Sequence, residues 1–301
     1  LILNFKPIEL TDKPVFDKAF HQRYYENSWF TFTNLFVWRD NYSTAWALQD
    51  EALYVRLQAN GLIYFLTPFT AADRPFAVAV DAAVKESQSQ GNAFLMKGLS
   101  PTMCAELEDA WPGRFVMEPQ RAYFDYLYKA EDLRTLAGRK YHSKRNFVNR
   151  FRAEHADWQY ESMTTDSGED CLQVAAAWCV NRDCDASDVL SSEYRAIEEA
   201  LQHFDVLGLR GGIIRLEGQP VAFSFGESLN ADTVVLHMEK ADPSVQGLYA
   251  VINQECCRHA WGDMEFINRE EDMGEEGLRK AKESYYPVRL VEKYKIFLQE
   301  G

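Results

Sequence analysis

The strongest constraint on this chain is an order of elements that occurs twice. In the first half, strand-like runs at 42–48, 53–57 and 62–66 are separated by Gln49-Asp50-Glu51 and Ala59-Asn60-Gly61, the latter being the stronger turn signal. Asp73-Arg74-Pro75 then starts a helix to about Gln90, Gly91-Asn92 stops it, and 93–97 reads as a strand. A helix at 101–110, a strand at 114–118 and an aromatic-rich strand at 123–128 close this half, which opens with a helix over about 11–25. The second half repeats the order. It has a strand at 158–162, helices at 169–181 and 191–204, and a hairpin of 212–216 and 221–228 turning at Glu217-Gly218. A strand at 233–239, a helix at 246–261 and a strand at 264–267 follow. A final strand over 288–298 places Leu290, Tyr294, Ile296 and Leu298 on one face.

A meander followed by a helix and a further strand, twice, predicts an α+β chain of two tandem domains. Each is a mostly antiparallel sheet flanked by helices. A length of 301 residues suits two units, because single cores stop growing at about 250–300 residues. Between the halves, 130–155 reads as one long helix with Leu133, Leu136, Tyr141, Phe147, Val148 and Phe151 as its apolar set. The expected division is 1–129, a basic bridging helix over 130–156, and 157–301.

Charge narrows the partners. A formal net charge of -14 argues against a general nucleic-acid coat, so an anionic partner must be recognised locally. The apolar runs fall far short of the roughly 20 residues that cross a bilayer, and no secretory signal is apparent, so a cytoplasmic location is expected. The six cysteines form no Cys-x-x-Cys pair and read as reduced thiols. The six histidines form no His-x-x-x-His pair, and no metal site is expected.

Three segments carry candidate chemistry. The first is the connection from the strand at 233–239 into the next helix, where Gln246, Gly247 and Leu248 stand at a helix start whose free N–H groups favour a phosphate. The structural alternative is a helix capped by Ser244, with Asp242 and Pro243 shaping the turn. The second segment is the tail, 268–287. Its acidic run, Gly274 and Gly277, and the cations Arg279, Lys280 and Lys282 describe either an anion site or a helix whose charges follow its dipole, with Leu278, Ala281 and Tyr285 buried. The third is the basic stretch Arg139, Lys140, Lys144, Arg145 and Arg150, continued by Arg152. It can hold tRNA or headgroup phosphates, or be a solvated face paired with acids of the other domain. Ala222-Phe223-Ser224-Phe225-Gly226 lies inside a strand and is not a nucleophile elbow.

Gln246-Gly247-Leu248-Tyr249-Ala250 resembles, with one glycine and a shorter spacing, the acyl-CoA signature Gln/Arg-x-x-Gly-x-Gly/Ala of GCN5-related N-acetyltransferases. The tail, together with 136–151, resembles an uncharacterised bacterial family. Its relatives are the C-terminal catalytic domain of phosphatidylglycerol lysyltransferase and, more distantly, the Fem peptidoglycan aminoacyltransferases. The likeness covers essentially the whole chain. It implies two tandem acetyltransferase-like folds and transfer of an acyl or aminoacyl group to an amine or hydroxyl acceptor, either a small molecule or a lipid headgroup. The co-substrate would be acyl-CoA or aminoacyl-tRNA, with no tightly bound cofactor. Glu239 is the first candidate base, Asp272 the second, and Tyr285 a candidate acid; Asn268, Arg269 and the tail glycines and cations would line the donor pocket. The alternative is a non-catalytic module that binds a nucleotide, a charged tRNA or an anionic headgroup.

Overall fold

The computed structural model describes residues 3–71, 73–180 and 188–299. Its strands are β1 (Lys6–Pro7), β2 (Ala45–Gln49), β3 (Ala52–Ala59), β4 (Leu62–Leu66), β5 (Leu95–Leu99), β6 (Phe115–Pro119), β7 (Asp125–Lys129), β8 (Gln159–Ser162), β9 (Arg210–Leu216), β10 (Gln219–Ser228), β11 (Thr233–Ala241), β12 (Phe266–Asn268), β13 (Arg289–Val291) and β14 (Tyr294–Leu298). They form two seven-stranded sheets, ordered β1-β2-β3-β4-β5-β14-β6 and β13-β7-β12-β11-β10-β9-β8. In each, an antiparallel meander is followed by a helix and a strand parallel to the last one, with Phe65 opposite Met96 in one sheet and Val234 opposite Ile267 in the other. This is the tandem α+β layout, each unit a mostly antiparallel sheet flanked by helices, that the repeated order predicts.

The chain divides into a first unit of Leu1–Asp125, Glu271–Glu275 and Leu290–Gly301 and a second of Tyr126–Glu270 and Glu276–Arg289. The last strand of each half lies in the sheet of the other half: β14 stands between β5 and β6, and β7 between β12 and β13. The run at 288–298 is therefore not one strand. It leaves one sheet after Val291 and enters the other at Tyr294, and the break falls at Lys293, a cation buried completely.

The hairpin turns show why the meanders form. Asn60-Gly61 and Glu217-Gly218 both take left-handed backbone at both positions, the twist that two-residue hairpins require. Asp50 and Glu51 adopt the same conformation without a glycine, which is why that turn gives the weaker signal. Ser100 caps the helix Pro101–Ala110 through the Met103 N–H, and Thr31 caps Phe32–Val37, a helix that the period-based reading omits.

In the first unit, Phe16, Phe32, Phe69, Val80 and Met96 are fully buried, and several of the rings meet edge to face. In the second, the helix Leu248–His259 covers β9, β10 and β11 with Val251, Ile252 and Cys256. Its opposite face is also buried but polar: Gln254 bonds to Arg134 O at 2.9 Å, and Glu255 pairs with Arg152 at 2.6 Å.

Residues 130–156 belong wholly to the second unit and are not one helix. The helix Ala130–Thr135 ends at Leu136, which is left-handed at φ 49, and Gly138 at φ 86 turns the chain into a short 3-10 turn, Arg139–Tyr141, before the helix His142–Glu154. The cause lies in bonds the turn makes. Arg145 binds the carbonyls of Leu136 and Gly138, and the Tyr141 hydroxyl donates to Tyr285 O at 2.9 Å. Cys104, Cys171, Cys256 and Cys257 are free and buried, whereas Cys179 is disulfide-bonded, against the expectation of reduced thiols; Cys184 lies outside the described residues. Among the described residues, no helix is long and apolar enough to cross a membrane.

Candidate functional site

The second unit builds a charged cluster where β11 and β12 run side by side. The β10–β11 register passes from Phe225 opposite Met238 to Gly226 opposite Leu236, which leaves His237 as the extra residue of a bulge. Gly226 permits it, because a Cβ there would stand 2.1 Å from Val235 O. The bulge aims His237 between two carboxylates. Its Nε2 lies 2.9 Å from Glu227 and its Nδ1 3.0 Å from Glu270. Burial alone would lower its pKa, but the bonds to Glu227 and Glu270 prevail and raise it to about 9, so the ring is a cation at neutral pH.

Two residues on, Glu239 accepts from Arg269 Nη2 at 2.9 Å and from Asn253 Nδ2 at 3.0 Å. Arg269 follows β12 directly, and Asn253 comes from the helix Leu248–His259. The pair is nearly out of solvent, with side-chain exposures of 13% and 10%. Among the described residues, two buried polar atoms here have no hydrogen-bond partner, Arg269 Nη1 and Asn253 Oδ1. Unpaired buried groups are uncommon and point to strain or to a missing ligand.

The ring of Tyr285 takes two cations, Arg269 at 4.8 Å and Lys144 at 4.0 Å from its centroid. Lys144 is half-buried, and burial, then the repulsion of Arg269, lower its pKa to about 8 against the pull of Glu239. A lysine in this state is partly neutral near physiological pH and can accept a proton. Burial pushes the Tyr285 hydroxyl well above its usual range.

Glu239, Arg269, Tyr285 and Lys144 thus come together, although Lys144 enters from the basic stretch and not from the tail. Asp272 stands in the first unit. It is fully buried, accepting from Arg121 at 3.0 Å and from the Gly274 N–H at 2.8 Å, which makes it the anchor of a turn. Gly274, at φ 82, is in that same turn, whereas Gly277 lies inside the helix Glu276–Glu283 of the second unit. That helix buries Lys282 and is followed by buried Tyr285, while Leu278 and Ala281 are exposed, against the expected apolar face. Lys282 reaches back to Arg269 O, and the Tyr128 hydroxyl donates to Lys282 O at 2.8 Å, so these contacts fix the segment that carries Arg269. Arg279 is half-buried, and exposed Lys280 pairs with Glu276 at 2.6 Å.

Asn268 is buried in β12, and its side chain accepts from the Glu270 N–H at 2.8 Å. Gln246 precedes Gly247, which holds φ 86 at the entrance of the helix that Leu248 begins. A Cβ at Gly247 would stand 2.6 Å from Phe147 O, so close packing within the unit requires this glycine. Ser244 does not cap the helix; its N–H and hydroxyl both bond to Asp242.

The basic residues divide. Lys140 pairs with Asp132 at 3.1 Å and Arg150 with Glu154 at 2.8 Å. Arg152 pairs with Glu255 of the same unit. Arg139 and Arg145 flank His142.

A second knot lies in the first unit and was not legible as chemistry. Lys293 Nζ donates to Asp125 at 2.6 Å, Glu271 at 3.2 Å and Ser28 Oγ at 3.2 Å, and it lies 4.2 Å from the Trp29 ring centroid. Asp125 also accepts the Ser28 N–H and hydroxyl, each at 2.8 Å. Burial and Glu271 push Asp125 up, Lys293 and Ser28 pull it down, and the result is about 6. His237 and Lys293 carry the same faint signal in sequence, an ionisable side chain inside an apolar alternating run.

The sequence profile described as "Phosphatidylglycerol lysyltransferase, C-terminal" matches residues 22–297. No match was found among curated proteins. Of solved structures, a conserved protein of unknown function from Bacteroides thetaiotaomicron VPI-5482 is 38% identical, with 99% of this chain and 100% of that one covered and a TM-score of 0.93. The DUF2156 domain from Agrobacterium fabrum is 13% identical over 97% of this chain and 93% of that one, with a TM-score of 0.67. L-PGS from Bacillus licheniformis is 14% identical over 84% and 83%, with a TM-score of 0.62. The last two share the fold.

Proposed function

We propose, because the chain belongs to the family of phosphatidylglycerol lysyltransferase C-terminal domains, that it transfers an acyl or aminoacyl group from an activated donor to an amine or hydroxyl acceptor. The observation that carries this reading is the cluster around Tyr285, where a lysine of lowered pKa stands beside a buried carboxylate–guanidinium pair with one unbonded donor. Neutral Lys144 takes the proton of the acceptor as its nitrogen or oxygen attacks the donor carbonyl. Arg269 Nη1 donates to the oxygen on which charge develops. Glu239 positions Arg269 and offsets its charge. The new C–N or C–O bond replaces the ester bond of an aminoacyl-tRNA or the thioester bond of an acyl-CoA, and the proton held by Lys144 passes to the leaving oxygen or sulfur. No covalent enzyme intermediate is needed.

A lipid headgroup suits the acceptor class, given the family. The test is incubation of the purified chain with labelled aminoacyl-tRNA or acyl-CoA and amine or hydroxyl acceptors, followed by mass spectrometry of the products. Transfer is expected for the unaltered chain and a loss of about 100-fold or more for Glu239→Gln, which leaves Arg269 without its counter-charge. Binding of donor without product, across acceptors, replaces this reading with that of a non-catalytic binding module.

A further inference from the structure

We infer that Arg139, His142 and Arg145 form a pocket for the phosphate group of a small phosphate ester. These three residues line a cavity of about 600 Å³ in the second unit, at the turn between the helices Ala130–Thr135 and His142–Glu154. The cavity is open to solvent, so it offers a charged ligand a surface to dock on and does not enclose it. Among the described residues, no carboxylate lines it.

The neighbouring cations show how unusual this is. Lys140, Arg150, Arg152 and Arg134 each pair with a carboxylate, as expected in a chain of net charge -14. Among the described residues, Arg139, Arg145 and His142 have no carboxylate within ion-pair distance. The two guanidinium groups around one cavity repel one another unless an anion joins them. The pocket is also held in shape. Arg145 Nη1 binds the carbonyls of Leu136 and Gly138, which fixes the guanidinium, while Nε and Nη2 make no bond among the described residues. Gly138, at φ 86 with nothing within 4 Å of its Cβ position, sets the exposed Arg139 at the rim. His142 Nε2 lies 3.2 Å from Asn146 Nδ2, and so Nδ1 remains as the donor. Two guanidinium groups and an imidazole N–H match the oxygens of a phosphate better than those of a single carboxylate, because planar donor pairs bind phosphate in bidentate fashion.

The inference rests on the transferase reading only for the purpose of the site, which is to hold a phosphate-bearing substrate. Binding is read without turnover, so either can fail while the other stands. The experiment is isothermal titration of the full chain with glycerol 3-phosphate and, separately, inorganic phosphate. One saturable site is expected for the ester, weakened about tenfold or more by Arg139→Gln and unchanged by Lys85→Gln, whose ammonium is also exposed but paired with Asp81. The Arg139 side chain makes no hydrogen bond among the described residues, and the His142 N–H bonds only to its backbone carbonyl, so the thermal midpoint of the variant should not move; circular dichroism checks this. The inference is overturned if the ester shows no saturable binding below about 10 mM, if inorganic phosphate alone binds, or if both variants weaken binding equally.

Discussion

A methyl group at position 226 has no room, because its carbon would stand 2.1 Å from Val235 O across the bulge. Gly226→Ala must push β10 and β11 apart, and a loss of about 2–3 kcal/mol is expected, read as a lower urea midpoint with an unchanged slope. His237, the residue that this bulge releases, gives a pH test. Its folded pKa is raised to about 9 from an ordinary 6.5. A group raised in this way contributes stability that is fully present below about 6.5 and is lost as pH climbs through 9. The unaltered chain should therefore weaken between pH 7 and pH 10 by up to about 3 kcal/mol, whereas His237→Gln should be less stable at pH 7 and flatter across the range. Equal slopes in the two proteins would show that the imidazole is not charged in the fold. Neither residue stands out in the sequence. Gly226 reads as one more small residue in a strand, and His237 as a polar alternation, since a bulge is visible only once the partner strand is known.

Elements with strong local signals form where the residues place them. The strand Leu62–Leu66 behind Asn60-Gly61 and the helix Pro101–Ala110 behind Ser100 coincide with their expected ranges, since turn chemistry and capping act within a few residues. Elements decided by distant partners do not. Leu136 ends its helix in left-handed backbone because Arg145 and Tyr141 reward the turn, and no period within 130–155 shows that. The 288–298 run divides at Lys293 because Asp125, 168 positions away, captures its ammonium. The ammonium offsets two carboxylates in a closed interior, so Lys293→Met leaves Asp125 and Glu271 uncompensated. A destabilisation of about 3–5 kcal/mol is expected by denaturant unfolding. A loss below about 1 kcal/mol would mean that water reaches the knot and screens it.

At the scale of the whole chain, the repeated order of elements is enough to give two α+β units, but not the exchange of their last strands, because pairing order depends on contacts far apart in sequence. The same exchange divides the tail. Its residues 271–275 belong to one unit and 276–289 to the other, so Asp272 and Gly274 serve a turn of the first unit while Arg269 and Tyr285 meet Glu239 and Lys144 in the second. What the sequence held of the candidate site was Glu239, Arg269 and Tyr285 as residue types near strand ends. Lys144 appeared there only as one cation among several, and the burial that lowers its pKa comes from packing. The most direct test is the pH dependence of group transfer by the intact chain, with Lys144→Met alongside. The account predicts transfer that rises with an apparent pKa near 8 to a plateau, and a variant that folds with the same thermal midpoint but transfers about 100-fold more slowly without that rise. A variant with the same rate and the same profile would contradict it.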